Sequence, residues 1–250
     1  MYLRAFAFIR GPKMVRMPRT IASILLFGIS FGYLEAAVVV YLRAIYDPIR
    51  ERIYPGRAPQ DLFPLISPEQ LKAAGPENER RLAIEIGREA ATILMLAAFG
   101  MAAGRNFNQR MAAFAIAFGL WDISFYAFLR LMIGWPQSLF TWDILFLIPL
   151  PWVGPVLSPV LVSLMLIACG MVSLVRGGLP AKPWQWLAMI AGGVVVILAF
   201  VWDFRNTTAG GQPNPFNWPL FLAGEAIALT AFIAAARNPG FQESQIPRGS

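Results

Sequence analysis

Long, continuous apolar stretches constrain the fold of this chain more than any other feature of its sequence. A helix crosses the hydrocarbon core of a bilayer with about 20 apolar residues, and several stretches reach that length. Only 14% of the 250 residues are charged, which is too few for the surface of a soluble protein of this size. Because the stretches are continuous rather than alternating, a transmembrane β-barrel is disfavoured. We therefore predict an all-α integral membrane protein.

The apolar stretches predict a helical bundle of six spans that forms a single transmembrane domain over residues 20–236. The predicted spans cover residues 20–45, 80–104, 110–133, 154–175, 184–203 and 216–236. A flank at 1–19 precedes this domain, and a tail at 237–250 follows it.

Basic residues gather on one side of the predicted bundle. They are Arg4, Arg10, Lys13, Arg16, Arg19, Arg105, Arg110, Arg176, Lys182 and Arg237. The positive-inside rule places this side, and with it both termini, in the cytoplasm, which predicts a multi-pass protein of a bacterial-type inner membrane. The net charge of +7 fits contact with anionic lipid, and no nucleic-acid-binding motif is present.

Two connections on the opposite, outer side are unusually long. The first, 46–79, is expected to form a cap over the bundle, with a short helix that begins at the capping box Ser67-Pro-Glu-Gln70 and ends at Gly75. The second, 134–153, is apolar, rich in proline and too short to span, so we predict a re-entrant or interfacial segment. The alternative is a seventh span, against which the positive charge at 176–183 argues.

The same arrangement of residues occurs in two of the predicted spans. Phe31-Gly-Tyr-Leu-Glu35 leads to Leu42-Arg43, and Phe118-Gly-Leu-Trp-Asp122 leads to Leu129-Arg130 in the same register. An ionisable residue inside a membrane segment is energetically costly and marks a functional site by default. The pattern indicates an internal repeat and predicts that both acids line one site.

The predicted orientation puts nearly every intramembrane acid in the outer half of the membrane. Glu85, Arg88 and Glu89 share one face of the second span through their i, i+3, i+4 spacing. Arg88 is the predicted partner of a carboxylate from a neighbouring helix, because a guanidinium can bridge two carboxylates. A structural ion-pair network that only fixes helix packing is the competing interpretation.

Tryptophan precedes three of the acids, in Trp121-Asp122, Trp142-Asp143 and Trp202-Asp203. For the last two pairs, an interfacial aromatic belt or turn chemistry is the stronger explanation. We expect catalytic roles for Glu35, Glu89 and Asp122. We expect substrate-binding roles for Glu85, Arg88, Trp121, Trp142, Asp143 and Glu225.

The chain contains no histidine and one cysteine. This composition excludes haem with histidine ligands, histidine-ligated metal sites and Ser-His or Cys-His catalysis. A carboxylate-bound Mg²⁺ or Ca²⁺ ion stays open as a cofactor. The single cysteine, Cys169, is expected to be a small buried residue without a chemical role.

Three functions fit these features. The first is a membrane enzyme that acts on an isoprenoid, sterol-like or lipid-linked substrate by carboxylate acid–base chemistry. The second is a carrier or channel whose acids bind protons or a cation. The third is a non-catalytic subunit of a larger membrane complex. The expected partners are the bilayer, a lipophilic or cationic small molecule, and either a second copy of the chain or another membrane subunit.

Overall fold

A computed structural model describes residues 13–57 and 61–238, and it describes side chains from residue 19 onward. Most of the predicted basic flank at 1–19 and of the tail at 237–250 therefore lies outside the described residues. The protein is mostly helical. The described elements are α1 (Lys13–Ile53), α2 (Pro68–Ala73), α3 (Pro76–Ala103), α4 (Phe107–Ile133), β1 (Trp142–Phe146), β2 (Trp152–Pro155), α5 (Leu157–Val175), α6 (Pro183–Val201), α7 (Phe204–Thr208) and α8 (Trp218–Ala236).

Five of the helices are long and apolar enough to cross a membrane, namely α1, α4, α5, α6 and α8. Their large apolar side chains are exposed on the outside of the bundle, with Leu26 and Leu187 as examples. A soluble protein would bury such a surface, so these helices confirm a multi-pass membrane protein. The sixth long helix, α3, has 28 residues and carries most of its charges in its first half.

Close contacts at glycine fix how the helices cross. Gly28 of α1 lies against Leu120 of α4, and Gly32, one turn later, lies against Ser124. The register advances in the same direction along both helices, so α1 and α4 are parallel. A Cβ atom on Gly32 would come within 2.8 Å of the Trp121 carbonyl oxygen, so a larger residue would force the helices apart.

The other long helices alternate in direction. Gly100 of α3 meets Phe114 of α4, whereas Gly104 meets Arg110, so α3 runs antiparallel to α4. Gly119 of α4 meets Ser163 of α5, whereas Gly170 meets Ile116, so α5 is antiparallel to α4 as well. The α6–α8 pair is also antiparallel, because Gly192 meets Ala228, whereas Val196, one turn later, meets Gly224. It meets the rest of the bundle chiefly through α5 and β2.

The alternation gives the described part of the bundle two different ends. One end, the basic end, holds the start of α1 and the turns after α3 and α5. It also holds the end of α8, where the Arg176 guanidinium donates a hydrogen bond to the Ala236 carbonyl at 2.9 Å. The opposite end, the loop end, carries α2, α7 and the two-stranded sheet.

The segment at 134–153 contains β1 and the first residues of β2, which its apolar pattern does not predict. β1 pairs with β2 in an antiparallel hairpin whose register places Trp142 opposite Pro155 and Ile144 opposite Val153. The register shifts between Ile144 and Phe146, where the strand pairing is irregular. The hairpin packs into a core cluster with Leu129 of α4.

The predicted short helix in the 46–79 connection is confirmed. Ser67 is the N-cap of α2, its Oγ accepts from the Gln70 amide at 3.2 Å, and the Gln70 side chain accepts from the Ser67 amide at 2.9 Å. Gly75 follows with φ of 139°, a conformation that favours glycine, and Pro76 starts α3.

Candidate functional site

One large cavity of about 730 Å³ lies inside the bundle. Its wall is formed by the six long helices together with the hairpin. Of the nine residues proposed from the sequence, eight line it: Glu35, Glu85, Arg88, Glu89, Trp121, Asp122, Asp143 and Glu225. Tertiary packing therefore brings residues from four helices and one strand to a single space, whose volume is typical of small-molecule sites.

Arg88 of α3 joins two of the acids. Its Nη1 donates to Glu35 of α1, and its Nε donates to both oxygens of Glu85, at 2.9 and 3.0 Å. The Thr92 hydroxyl donates a further hydrogen bond to Glu35 at 3.0 Å. Both Glu35 oxygens are thus occupied, and the predicted bridge between helices through Arg88 is present.

Glu89 and Asp122 face the same cavity without a cationic hydrogen-bond partner among the described residues. Glu89 accepts from the backbone amide of Leu147 at 2.8 Å, which ties α3 to the loop of the hairpin. Asp122 accepts from the Ser163 hydroxyl of α5 at 2.7 Å. Each buried carboxyl keeps one oxygen without a hydrogen bond in the described structure, so each has an atom available to a ligand.

Asp143 of β1 is held by a phenol rather than by an ion pair. The Tyr126 hydroxyl donates to its Oδ2 at 2.8 Å. Burial raises the pKa of Asp143 to about 6, although this hydrogen bond and the charge of Arg43 lower it in part.

Trp142, Trp202 and Asp203, from the other two Trp-Asp pairs, do not line the cavity. Trp142 does not line the cavity, because its ring packs edge-on against Phe63 and Phe216, so the structure gives no support to its predicted contact with substrate. Asp203 binds the Asn214 amide and side chain at 2.8 and 2.7 Å, which closes the loop before α8.

Glu225 is the most isolated of the acids. Its Oε1 is buried and has no hydrogen-bond partner in the described part of the chain. It reaches the cavity from α8, beside Ala228 on the same face. A buried carboxyl oxygen without a hydrogen-bond partner is energetically costly.

The two Leu-Arg ends of the repeated sequence converge on one turn. The Arg43 guanidinium stacks over the Trp135 ring, 4.2 Å from its centroid. Arg130 donates to the carbonyls of Gly134 and Pro136 at 2.6 and 3.0 Å. The two arginines therefore hold the same turn from two sides, while the acids of the repeat point to the cavity.

The polar and apolar residues of the cavity are separated along its length. Toward the loop end lie Arg43, Arg88 and all the lining carboxylates except Glu225, which projects from the middle of α8. Toward the basic end lie apolar side chains such as Met111, Phe114 and Phe232, with Asn108 at the limit. Along α4 the lining runs from Asn108 to Tyr126, roughly 27 Å of helix. The cavity is thus amphipathic, with a charged region and a long apolar region.

Sequence reasoning did not single out Ser163, Thr92 and Tyr126, which bind Asp122, Glu35 and Asp143 respectively. A weak signal was present, because hydroxyl side chains within apolar helices tend to bond across helices. In the described part of the chain, no three residues among His, Cys, Asp and Glu cluster as a metal would require.

Comparison with known proteins identified no matching family model, curated protein or solved structure.

Proposed function

We propose that this protein is a membrane enzyme that binds an amphiphilic lipid in its cavity and acts on it by carboxylate acid–base chemistry. The observation that carries the proposal is the amphipathic cavity itself. Its long apolar region suits a hydrocarbon chain, and its charged region holds two buried carboxyls, Glu89 and Asp122, that are not engaged in ion pairs.

The hydrogen bonds favour different roles for the three acids predicted to be catalytic. Glu35 is held by Arg88 and Thr92, so it acts best as a positioning residue. Glu89 and Asp122 each retain a free oxygen, so one can donate a proton to the substrate while the other accepts one. The indole ring of Trp121, beside Asp122, can stabilise positive charge that develops during the reaction.

The proposal includes six spans, with α3 as the second. Support comes from its two surfaces: Glu85, Arg88 and Glu89 turn toward the cavity, whereas Ile84 and Leu94 are exposed on the outside, as a lipid-facing surface requires. With six alternating spans, the start of α1 and the end of α8 share the basic end, and we assign that end to the cytoplasm of an inner membrane by the positive-inside rule.

Lipid analysis of matched cells tests the enzymatic proposal. Cells expressing the wild type, Asp122→Asn or Glu89→Gln at equal levels are extracted, and their lipids and the lipids that co-purify with each protein are identified by mass spectrometry. We expect the wild type to deplete one amphiphile and form a product, while both variants retain the unreacted amphiphile.

Asp203→Asn is the matched control, because it alters another Trp-Asp pair that does not line the cavity. It should behave as the wild type does. A lipid profile that is identical for the wild type, for Asp122→Asn and for cells without the protein would refute the enzymatic proposal.

A lipid carrier is the second candidate, and the length of the cavity favours it. The roughly 27 Å of α4 that lines the cavity approaches the hydrocarbon thickness of about 30 Å. A carrier would move a fluorescent amphiphile between the leaflets of proteoliposomes without changing its mass. Transfer with no chemical product would select this candidate over the enzyme.

A further inference from the structure

The loop end of the cavity carries hydrogen-bond donors that have no acceptor in the described protein. Arg43, Tyr46 and Arg50 follow one another on α1 at i, i+3 and i+7, so they share one face, and all three line the cavity. The Tyr46 hydroxyl and the Arg50 Nε are buried without a partner among the described residues. The Arg43 guanidinium stacks on Trp135 and has no hydrogen bond to any residue in the described part of the chain.

The neighbouring acids accept hydrogen bonds from only some of these donor groups. Asp47 takes one Arg50 nitrogen at 2.8 Å and leaves Nε free. Asp143 lies close enough to interact with the charge of Arg43, but its hydrogen bond comes from Tyr126. The Trp135 Nε1, also on the cavity wall, is a further buried donor without a partner in the described residues. Buried donors of this kind are costly unless a ligand or water meets them.

We infer that these donors form a headgroup subsite for the anionic phosphate of a single-chain amphiphile, whose hydrocarbon chain extends into the apolar region of the cavity. This inference rests on the proposed function and specifies its ligand. A phosphate offers several acceptor oxygens to two guanidinium groups and two neutral donors. The stack on Trp135 holds the Arg43 guanidinium flat, so its edge remains free for the ligand.

The ligand orientation follows from the layout of the wall. With the phosphate at Arg43 and Arg50, the chain passes Asp122 and Trp121 and ends among the apolar residues near Met111 and Phe232. The free carboxyls then lie between headgroup and chain end, where they can reach the part of the molecule that follows the phosphate.

Binding measurements on the full-length protein in neutral maltoside detergent test the inference. Quenching of tryptophan fluorescence is measured with dodecyl phosphate, hexyl phosphate, dodecyltrimethylammonium and inorganic phosphate. We expect dodecyl phosphate to bind at least tenfold more tightly than each of the other three. If the protein prefers dodecyltrimethylammonium, the subsite does not select phosphate and the inference is wrong. If inorganic phosphate binds as tightly as dodecyl phosphate, the hydrocarbon chain adds no affinity and the ligand is not an amphiphile.

Variants locate the subsite. Arg43→Gln and Tyr46→Phe should each weaken binding of dodecyl phosphate, by about tenfold and about threefold, whereas Arg43→Lys should recover part of the loss. Arg52→Gln is the matched control, because Arg52 is exposed on the same stretch of α1 and binds only the Pro48 carbonyl in the described structure. Tyr46→Phe removes a single oxygen, so it remains informative if Arg43→Gln fails to fold. Unchanged affinity in Tyr46→Phe and in a folded Arg43 variant overturns the inference.

The outcome is separable from that of the proposed function. Turnover of an amphiphile that shows no phosphate preference overturns only the subsite. Phosphate-selective binding without turnover of any bound lipid, in the wild type as in Asp122→Asn, overturns only the enzymatic proposal.

Discussion

Arg88 of α3 and Glu35 of α1 form an ion pair between helices inside the cavity wall, 53 residues apart in the chain. The Glu35 side chain is almost fully buried, whereas one quarter of the Arg88 side chain is exposed. Removing one member of a buried pair leaves an uncompensated charge, which costs more than the pair itself contributes.

Arg88→Gln should therefore lower the free energy of unfolding by about 3 kcal/mol, since Glu35 and Glu85 both lose their cation. The double variant Glu35→Gln/Arg88→Gln should lose less than the sum of the two single variants, as coupled residues do. Thermal unfolding in detergent measures both effects. Arg80→Gln, an exposed position on the same helix, is the control. If the stability loss of the double variant equals the sum of the two single losses, Glu35 and Arg88 are not energetically coupled.

Alanine substitutions at two adjacent glycines of α6 should have opposite effects on the melting temperature. A Cβ atom on Gly192 would lie 2.6 Å from the Gly224 carbonyl oxygen, whereas one on Gly193 would meet nothing within 4 Å. Gly192→Ala should separate α6 from α8 and lower the melting temperature. Gly193→Ala should keep or raise it, because alanine favours a helix by up to about 1 kcal/mol over glycine. A pair of variants with equal melting temperatures would show that the α6–α8 contact is not as close as described.

Asp143 should make stability fall as the pH rises. Its pKa of about 6 in the folded state, raised by burial, exceeds the ordinary 3.8, so the folded protein binds more protons than the unfolded chain between these values. The free energy of unfolding then decreases from pH 4 to about pH 6, by at most about 3 kcal/mol from this group. Melting temperatures of the wild type and Asp143→Asn across this range isolate its share. If the melting temperatures of the two proteins change in parallel with pH, Asp143 does not contribute to the pH dependence of stability.

Loss of the Ser163 hydroxyl should affect both stability and turnover through its hydrogen bond to Asp122. Ser163→Ala removes the hydroxyl that donates to Asp122 at 2.7 Å and should cost about 1–3 kcal/mol, because the buried carboxyl loses that donor. The matched control is Ser158→Ala on the same helix, whose hydroxyl donates only to the Pro155 carbonyl in the described structure. If Asp122 acts on the lipid, Ser163→Ala should also slow turnover in lipid extracts, and Ser158→Ala should not. If Ser163→Ala and Ser158→Ala turn over the lipid at the same rate, Ser163 has no role in the reaction.

Several features were accessible from the sequence because their cause is local. Apolar stretches of membrane length gave five confirmed membrane-length helices, since the bilayer requires a fixed number of apolar residues per span. The N-cap of α2 was predictable from Ser67 and Gln70, which lie within a single turn. Spacing along α3 correctly placed Glu85, Arg88 and Glu89 on one wall, because helical geometry alone decides which residues share a face.

The tertiary structure decided which groups meet, because those contacts join residues far apart in the chain. The sequence offered Arg88 as a partner for some carboxylate, and packing selected Glu35; it showed no reason to link Asp122 with Ser163 or Asp143 with Tyr126. The hairpin could not be read from 134–153, since its strands lack a clear alternation of apolar and polar residues. By itself the sequence determined that charged residues lie within long apolar stretches, because that pattern is local. The three-dimensional packing decided which of these residues form ion pairs and which do not, because the partners come from distant parts of the chain.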